Sequence, residues 1–465
     1  MKVATGIRLS ALLLAVLIIA AASMSFVGNL SAGKLDNTSV IVPPAKLIWE
    51  KPYGGIKDDR AFYAADAGEG YLVVGSSKSI MPNTTVGWTL RLDNDGNMVW
   101  NKTFLEGSGT ELRYAINLTD GFLLVGNEFL PSGDVNGYVA KIDIQGNLLW
   151  STIIGGEKTD KLFSAIATPD GFLLLGLTYS NGNGGSEAWT VKITSLGKII
   201  WNKNYGISND TAARSGALAP DGDYVITGYT TTQNSSNYNF LLMKLDSSGN
   251  MVWNKTYGDQ DSQKAYSMTK AADGYIIVGD TESQQSDIDA WVIKVDYNGN
   301  VLWTKIVGGK NADSPSYITP SSDDGYLVCG FTFSFGAGNR DFWLFKIDDS
   351  GKVLWSCTQG NAGYQEAYSV IQTSQDQYIM VGWTDPSGQP ALIGKAQYNF
   401  YIVKIEAPQK SDGFSNLEFV ACIVVAAGIL ITALIFASRL NHKQGLSQGK
   451  NKLSHQLSTE NIKEK

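Results

Sequence analysis

The sequence predicts an all-β protein: a seven-bladed β-propeller whose N-terminal strand closes the last blade, plus one C-terminal transmembrane helix. The first observation is a set of regularly spaced tryptophans, namely Trp49, Trp100, Trp150, Trp201, Trp253, Trp303 and Trp355. Successive members are 51, 50, 51, 52, 50 and 52 residues apart. A unit of this size is too small to bury its own core, so its copies must stack or form a ring.

The second observation is that each copy contains four short apolar runs separated by turn residues. One run in each copy closes on a glycine, and these are Gly75, Gly126, Gly176, Gly228, Gly279, Gly330 and Gly382. An Asp-Gly turn precedes most of these runs, and an Asp-x-x-Gly-Asn hairpin precedes most of the tryptophans. No run is long enough for a helix. Four strands repeated seven times is typical of a propeller.

The third observation concerns the two ends of the repeat. We name the strands of one copy a, b, c and d, with the tryptophan on strand d. The last copy ends at Glu406 without a strand d, and Trp49 has no strand c before it. We therefore expect Leu47–Tyr53 to supply strand d of the last blade. The tight a–b and c–d turns then lie on one face of the disc, and the long d–a and b–c loops lie on the other.

Two segments fall outside the repeat and predict the domain organisation. Residues 1–30 are interpreted as a signal peptide or N-terminal anchor, because Lys2 and Arg8 precede an uncharged run. A linker at 31–45 leads to the propeller at 46–406, which is followed by a stalk at 407–416. Residues 417–438 form the predicted transmembrane helix, and 439–465 form a basic tail that the positive-inside rule places in the cytoplasm. This topology predicts a cell-membrane protein with an extracellular propeller.

An exported chain makes its Asn-x-Ser/Thr triplets candidate sites of N-glycosylation. The candidates within the repeats are Asn83, Asn101, Asn117, Asn209, Asn234 and Asn254. The alternative is that an Asn- and Thr-rich strand protein contains such triplets by chance.

The candidate ligand or cation site is a recurrent set of acids just before strand a. Its members are Asp59, Glu111, Asp160, Asp210, Asp261, Asp313 and Glu366. A ring of carboxylates at the channel mouth would attract a cation, and calcium is the candidate metal. The competing interpretation is that each acid caps its own loop by accepting backbone N–H bonds. No cofactor is firmly implied.

The marker tryptophans are predicted to dock neighbouring blades against each other, rather than to stack on a ligand. The basic residues that close strand c, such as Lys141 and Lys192, are predicted to form ion pairs. No catalytic residue is assigned. The only histidines, His442 and His455, lie in the C-terminal tail, which leaves the propeller without histidine-based catalysis. No basic patch for nucleic acid is present.

The string Lys-Leu-Asp-x-x-Gly-Asn-x-x-Trp, seen at 244–253, resembles the tryptophan-docking motif of quinoprotein-type propellers. The wider pattern adds Asp-Gly-Tyr before the apolar run and Gly-Gly after the tryptophan. It is similar to the propeller repeats of archaeal and bacterial surface proteins, and it covers residues 45–406. The resemblance implies the fold, and it leaves a quinone-dependent dehydrogenase as an enzymatic alternative.

Together these patterns predict a membrane-anchored extracellular propeller that acts in binding, adhesion or envelope structure, with an extracellular protein or glycan as partner. The alternative is an extracytoplasmic enzyme, either a quinoprotein-like dehydrogenase or a carboxylate-based polysaccharide-active enzyme. The longest b–c loop, at 385–399, is the candidate specificity loop.

Overall fold

The computed structural model describes residues 45–408, except for 82, 181–183, 232–235, 260, 284–285, 375 and 386–397. The signal peptide or anchor, most of the stalk, the transmembrane helix and the basic tail therefore lie outside the described residues. Most of the 385–399 loop also lies outside them. The described part is built from strands, and it has no helix with the length and hydropathy of a membrane span.

The described chain forms seven four-stranded antiparallel sheets, which are the blades of a β-propeller. Blade 1 consists of β2 (Asp59–Asp66), β3 (Tyr71–Ser77), β4 (Val86–Leu92) and β5 (Met98–Phe104). Blade 2 consists of β6 (Gly109–Leu118), β7 (Gly121–Phe129), β8 (Val135–Ile142) and β9 (Leu148–Ile154). Blade 3 consists of β10 (Asp160–Thr168), β11 (Gly171–Thr178), β12 (Glu187–Thr194) and β13 (Ile199–Tyr205). Blade 4 consists of β14 (Thr211–Leu218), β15 (Tyr224–Thr231), β16 (Tyr238–Leu245) and β17 (Met251–Tyr257). Blade 5 consists of β18 (Gln263–Ala271), β19 (Gly274–Ser283), β20 (Ser286–Asp296) and β21 (Val301–Val307). Blade 6 consists of β22 (Asp313–Pro320), β23 (Tyr326–Thr332), β24 (Asp341–Ile347) and β25 (Val353–Gln359). Blade 7 consists of β26 (Tyr364–Ser374), β27 (Gln377–Asp385), β28 (Asn399–Glu406) and β1 (Lys46–Tyr53).

Blade 7 is completed by the first strand of the chain. β1 pairs antiparallel with β28, so that Trp49 lies opposite Lys404 and Tyr53 lies opposite Phe400. This is the closure that the sequence predicts. It joins the two ends of the repeat region and leaves β28 without a free edge.

The hydrophobic core lies between the blades. Buried apolar side chains of the described residues form seven clusters, and each cluster combines side chains from two neighbouring blades. The cluster between blades 7 and 1, for example, joins Val73 and Leu90 to Val381 and Phe400. A blade is therefore covered on both faces. This explains why strand b has continuous apolar runs rather than alternation, since its side chains are buried on either side.

Candidate functional site in the central channel

Strand a, the first strand of each blade, carries a β-bulge at the same position in all seven blades. In blade 1 the pairing with strand b shifts between Ala61 and Tyr63, which leaves Phe62 as the extra residue. A glycine makes this possible, because a Cβ on Gly75 would overlap the carbonyl oxygen of Arg60. The recurrent strand-b glycine is thus required by the bulge. The seven bulge residues are Phe62, Arg113, Phe163, Arg214, Tyr266, Ser316 and Tyr368.

The bulge residues contact one another around the axis of the disc, and we call them the bulge ring. The Arg113 guanidinium carbon lies 4.0 Å from the centroid of the Phe62 ring, and that of Arg214 lies 4.0 Å from the Phe163 ring. Phe62 also packs against Tyr368, with ring centroids 5.1 Å apart. Arg214 interacts electrostatically with Arg113 and Tyr368, which belong to non-adjacent blades 2 and 7. These side chains therefore face each other across the central channel.

A second layer lies one residue further along strand a, towards the face of the tight turns. Blades 1, 2 and 6 have tyrosines here, and the Tyr63 and Tyr317 hydroxyls are 3.2 Å apart although their blades are not adjacent. The Tyr114 ring centroid is 4.2 Å from that of Tyr63. Burial raises the pKa of Tyr63 and Tyr114 well above the usual value. The tyrosines thus cross the channel beneath the bulge ring.

The other four blades have serine at this second position, and each serine joins its blade to a neighbour. Ser164 donates to the Arg214 carbonyl at 2.8 Å, and Ser369 accepts from the Ala64 amide at 3.0 Å. Ser215 and Ser267 accept from the amides of Met268 and Ile318. Hydrogen bonds between neighbouring blades therefore hold strand a of these four blades in place, while the tyrosines of blades 1, 2 and 6 extend into the channel.

The charges at the long-loop end of the channel are mostly compensated. Glu111 pairs with Arg113 at 2.8 Å, and Glu366 pairs with Arg340 at 2.9 Å. Burial nevertheless raises the pKa of Glu366, an effect that Arg340 opposes. Arg214 differs, because it has no ion pair among the described residues; its Nε, like that of Arg340, is buried there without a hydrogen-bond partner. Burial lowers the pKa of Arg214.

The seven acids predicted from the sequence do not occupy equivalent positions. Asp59, Asp160 and Asp313 lie on strand a, two residues before the residue that pairs with the recurrent strand-b glycine. Glu111 and Glu366 lie one residue further into strand a, whereas Asp210 and Asp261 precede their strands. No group of three or more His, Cys, Asp or Glu among the described residues is arranged to hold a metal ion. Cation binding by this set stays a prediction.

Asp59 and the residues equivalent to it accept hydrogen bonds that hold the d–a loop in place. Asp59 accepts from the Gly55 amide at 2.8 Å and from the Ser79 hydroxyl at 2.6 Å. Asp160 and Asp313 accept in the same way from amides four residues earlier, both at 2.6 Å. Neutral residues at the equivalent position make the same loop contact, as Thr110, Gln263 and Gln365 do. The contact therefore needs an acceptor, and it does not need a charge.

The marker tryptophans lie against the hairpin glycine of the next blade. A Cβ on Gly249 would meet the Trp201 ring at 2.9 Å, and one on Gly96 would meet the Trp49 ring at 2.8 Å. The equivalent contacts involve Trp100, Trp150, Trp253 and Trp303. Trp355 packs instead against Tyr378, with ring centroids 5.5 Å apart, because blade 7 has no c–d hairpin.

The glycosylation candidates that can be placed all lie at the surface. Asn83, Asn101, Asn117, Asn209 and Asn254 are exposed, and Asn234 is outside the described residues. Modification of these side chains stays a prediction. The Asn101 side chain also accepts a hydrogen bond of 3.4 Å from the Trp88 indole.

The bulge ring was not predicted from the sequence, although a signal for it exists. Every member lies thirteen positions after a marker tryptophan, so the ring has the spacing of the tryptophans. The position is hard to recognise because its residue types differ, alternating Phe and Arg in blades 1 to 4 and then changing to Tyr, Ser and Tyr.

Among the described residues, two further clefts lie outside the channel. One is open at the tight-turn face between blades 1 and 2, and the other lies around β17, β20 and β21. The first is lined by hairpin and strand residues that include Arg91, Asp95 and Trp100, and the second by residues that include Gln263, Trp291 and Ile306. Both are formed by parts of the repeat that recur in other blades. They therefore lack the irregularity of the channel.

No family model and no curated protein matches this sequence. Among solved structures, the chain is similar to Kuenenia stuttgartiensis hydrazine synthase, with 12% identity and a TM-score of 0.48 over 81% of this chain and 99% of that one. It is also similar to the periplasmic gluconolactonase PpgL of Pseudomonas aeruginosa, with 14% identity and a TM-score of 0.44 over 64% and 86%. Puromycin hydrolase has 13% identity and a TM-score of 0.47 over 74% of this chain and 53% of its own. These similarities describe the fold alone.

Proposed function

We propose that this propeller is a binding protein that takes a small molecule into the long-loop end of its central channel. The observation that carries the proposal is the asymmetry of the bulge ring. A disc with a purely structural role has no need of four different kinds of side chain at one repeat position. Here the ring combines two phenylalanines, two arginines, two tyrosines and one serine above a layer of tyrosines.

This arrangement has the features of a ligand site. Polar side chains of the bulge ring lie among aromatic side chains, a combination with which proteins orient small molecules. The tyrosine layer would stop a ligand from passing through. In the topology predicted from the sequence, the open end faces away from the cell, where a soluble ligand or the end of a glycan would enter it.

A binding role is favoured over catalysis by the state of the buried acids. Two carboxyls beside the channel have a pKa raised by burial, namely Asp280 and Glu366. Asp280 accepts from the Tyr266 hydroxyl at 2.7 Å, and Glu366 is paired with Arg340. Each is thus engaged by a neighbouring side chain rather than presented as a general acid. The enzymatic alternative stays a prediction.

The test is a ligand screen on the full chain by thermal shift, followed by titration calorimetry of the compounds that bind. The panel contains neutral sugars, amines, amino acids and organic acids. Ser316→Trp fills the ring at its smallest member, and we expect it to weaken every hit at least tenfold. Gln145→Trp adds the same ring to an exposed hairpin on the tight-turn face and should leave binding unchanged. Hits that survive in the Ser316 variant would place the binding site elsewhere and reject the proposal.

A further inference from the structure

We propose that Arg214 is the binding residue for a carboxylate group of the ligand, held at the bulge ring between Phe163 and Tyr266. This inference rests on the proposed function, and it assigns the chemical class of the ligand: a small monoanionic organic acid.

Arg214 is the exception among the five arginines that the structure describes. Three are paired with carboxylates, since Arg60 contacts Asp58 at 2.8 Å and Arg113 and Arg340 contact Glu111 and Glu366. Arg91 donates to backbone carbonyls, at 2.6 to 3.0 Å. For Arg214 the described residues provide no ion pair, and no carboxylate is among the charged groups that affect it most. Arg214 is half-buried with its Nε fully buried, and removing a cation from water without a counter-ion is costly, so a bound anion would stabilise this side chain.

The surroundings of Arg214 hold its guanidinium in a defined plane. One face lies over the Phe163 ring, with the guanidinium carbon 4.0 Å from the ring centroid, and the Tyr266 ring is 5.7 Å away. Stacking on an aromatic ring occupies a face of the guanidinium and leaves its N–H edge available. A carboxylate matches that edge with two parallel hydrogen bonds. The Nε atom, which has no partner here, belongs to such an edge.

The charge balance indicates a single negative charge on the ligand. Glu111 compensates Arg113, Arg340 compensates Glu366, and the charge of Lys264 acts on Asp280, so these groups add little net charge. Arg214 leaves one positive charge to be balanced. The like charge of Arg113 further lowers the pKa of Arg214, and an anion bound between them would relieve this repulsion. A bound monoanion would neutralise this charge, whereas a phosphate dianion would introduce surplus negative charge next to Glu111 and Glu366.

The experiment titrates the full chain by calorimetry at low salt with matched pairs of probes. The pairs are D-glucuronate with D-glucose and benzoate with benzamide, and inorganic phosphate is a third anion. We expect at least one carboxylate to bind at least tenfold more tightly than its neutral partner and more tightly than phosphate. Arg214→Met should abolish this preference, and Arg214→Lys should weaken it because an ammonium cannot form the fork. Arg91→Met, at the tight-turn face, is the charge-matched control and should leave it unchanged.

The outcomes separate this inference from the proposed function. Carboxylate binding that is equal in the wild type and in the Arg214→Lys variant overturns the inference. So does a panel in which neutral partners bind as tightly as the acids. If neutral hits are still lost in Ser316→Trp, the channel is a binding site but Arg214 does not select its ligand. If hits are insensitive to Ser316→Trp, the proposed function itself fails.

Discussion

At the scale of single residues, the same contact recurs at the tight-turn face. The lysine that closes strand c reaches the aspartate of the a–b turn in its own blade. Lys192 Nζ lies 2.5 Å from Asp170, and Lys141 Nζ lies 2.6 Å from Asp120. The hydrogen bond from Lys192 lowers the pKa of Asp170, and the bond from Lys141 does the same for Asp120. The ion pairs of these strand-c bases therefore lie mainly within one blade, although Lys294 also pairs with Asp349 of the next blade.

These pairs differ in the burial of the lysine, which gives a graded prediction. The Lys192 side chain is 2% exposed, whereas that of Lys141 is 15% exposed. Asp170→Asn leaves a buried ammonium without its counter-ion, and we expect it to lower the free energy of unfolding by about 1 kcal/mol, since Asp170 itself is exposed and screened. Asp120→Asn should lower the free energy of unfolding by less, because Lys141 is more exposed than Lys192. Urea unfolding at pH 7 measures both, and an equal or larger loss in the Asp120 variant would contradict the burial argument.

The pH dependence of this prediction has a defined sign. Because the folded-state pKa of Asp170 is lowered, its ion pair stabilises the protein above the unfolded-state pKa, near 4. The contribution is lost as the pH falls through the lowered folded-state pKa. The difference in stability between wild type and Asp170→Asn should therefore shrink between pH 5 and pH 2.

At the scale of strands and turns, the c–d hairpin glycine has two separate reasons to be glycine. Gly249 has a φ of +76°, and a Cβ there would meet the Trp201 ring. Gly68 has nearly the same φ, +77°, but nothing within 4 Å of its Cβ position. The backbone cost of alanine should be about 1 kcal/mol at both sites. Only Gly249→Ala should add a steric cost, of about 1–3 kcal/mol.

The difference between these two variants isolates the contact between neighbouring blades. Thermal unfolding of Gly68→Ala and Gly249→Ala measures it directly. Equal stabilities would show that the tryptophan moves aside at little cost, and that the blades are not held in register by this contact.

The strands were predictable because their signals are local and repeated. An apolar run closed by Gly75, or an Asp-x-x-Gly-Asn turn before Trp253, identifies a strand or hairpin without knowledge of its neighbours. The register of strand a was not predictable in this way. The pattern of acids groups Glu111 and Asp261 with Asp59, but relative to the marker tryptophan Glu111 lies one residue later and Asp261 two residues earlier than Asp59. Their pairing with strand b therefore differs. Register is set by pairing with the strand-b glycine, which only the structure shows.

At the scale of the whole molecule, the construction of the channel explains why the sequence pattern does not reveal the candidate site. A site in a propeller is assembled from one residue of each blade, about 50 positions apart. No short motif contains two of its members, such as Phe163 and Arg214. The bulge that turns these residues into the channel is a property of two paired strands rather than of one segment. The sevenfold repeat predicts the scaffold. The residues of the bulge ring, which define the candidate site, share no residue type and are therefore not marked by the repeat.

Ring closure is the property that makes the seven blades one folding unit, and Trp49 tests it. This side chain, carried by β1, lies against Gly96 of blade 1, as Trp201 lies against Gly249 between blades 4 and 5. Both tryptophans are half-buried. If closure is as firm as an internal junction, Trp49→Ala and Trp201→Ala should each lower the free energy of unfolding by about 2 kcal/mol, below the range for a fully buried tryptophan. Both should retain a single unfolding transition.

The contrary outcome is equally defined for this pair. β1 reaches blade 7 only through pairing with β28, whereas internal strands are connected to their blade by a short hairpin. A strand held by pairing alone can detach before the rest of the disc unfolds. A separate early transition in Trp49→Ala, absent from Trp201→Ala, would show that the ring opens at this seam. Hydrogen exchange of the β28 amides would then rise in that variant, and the closed disc would be one of two populated states.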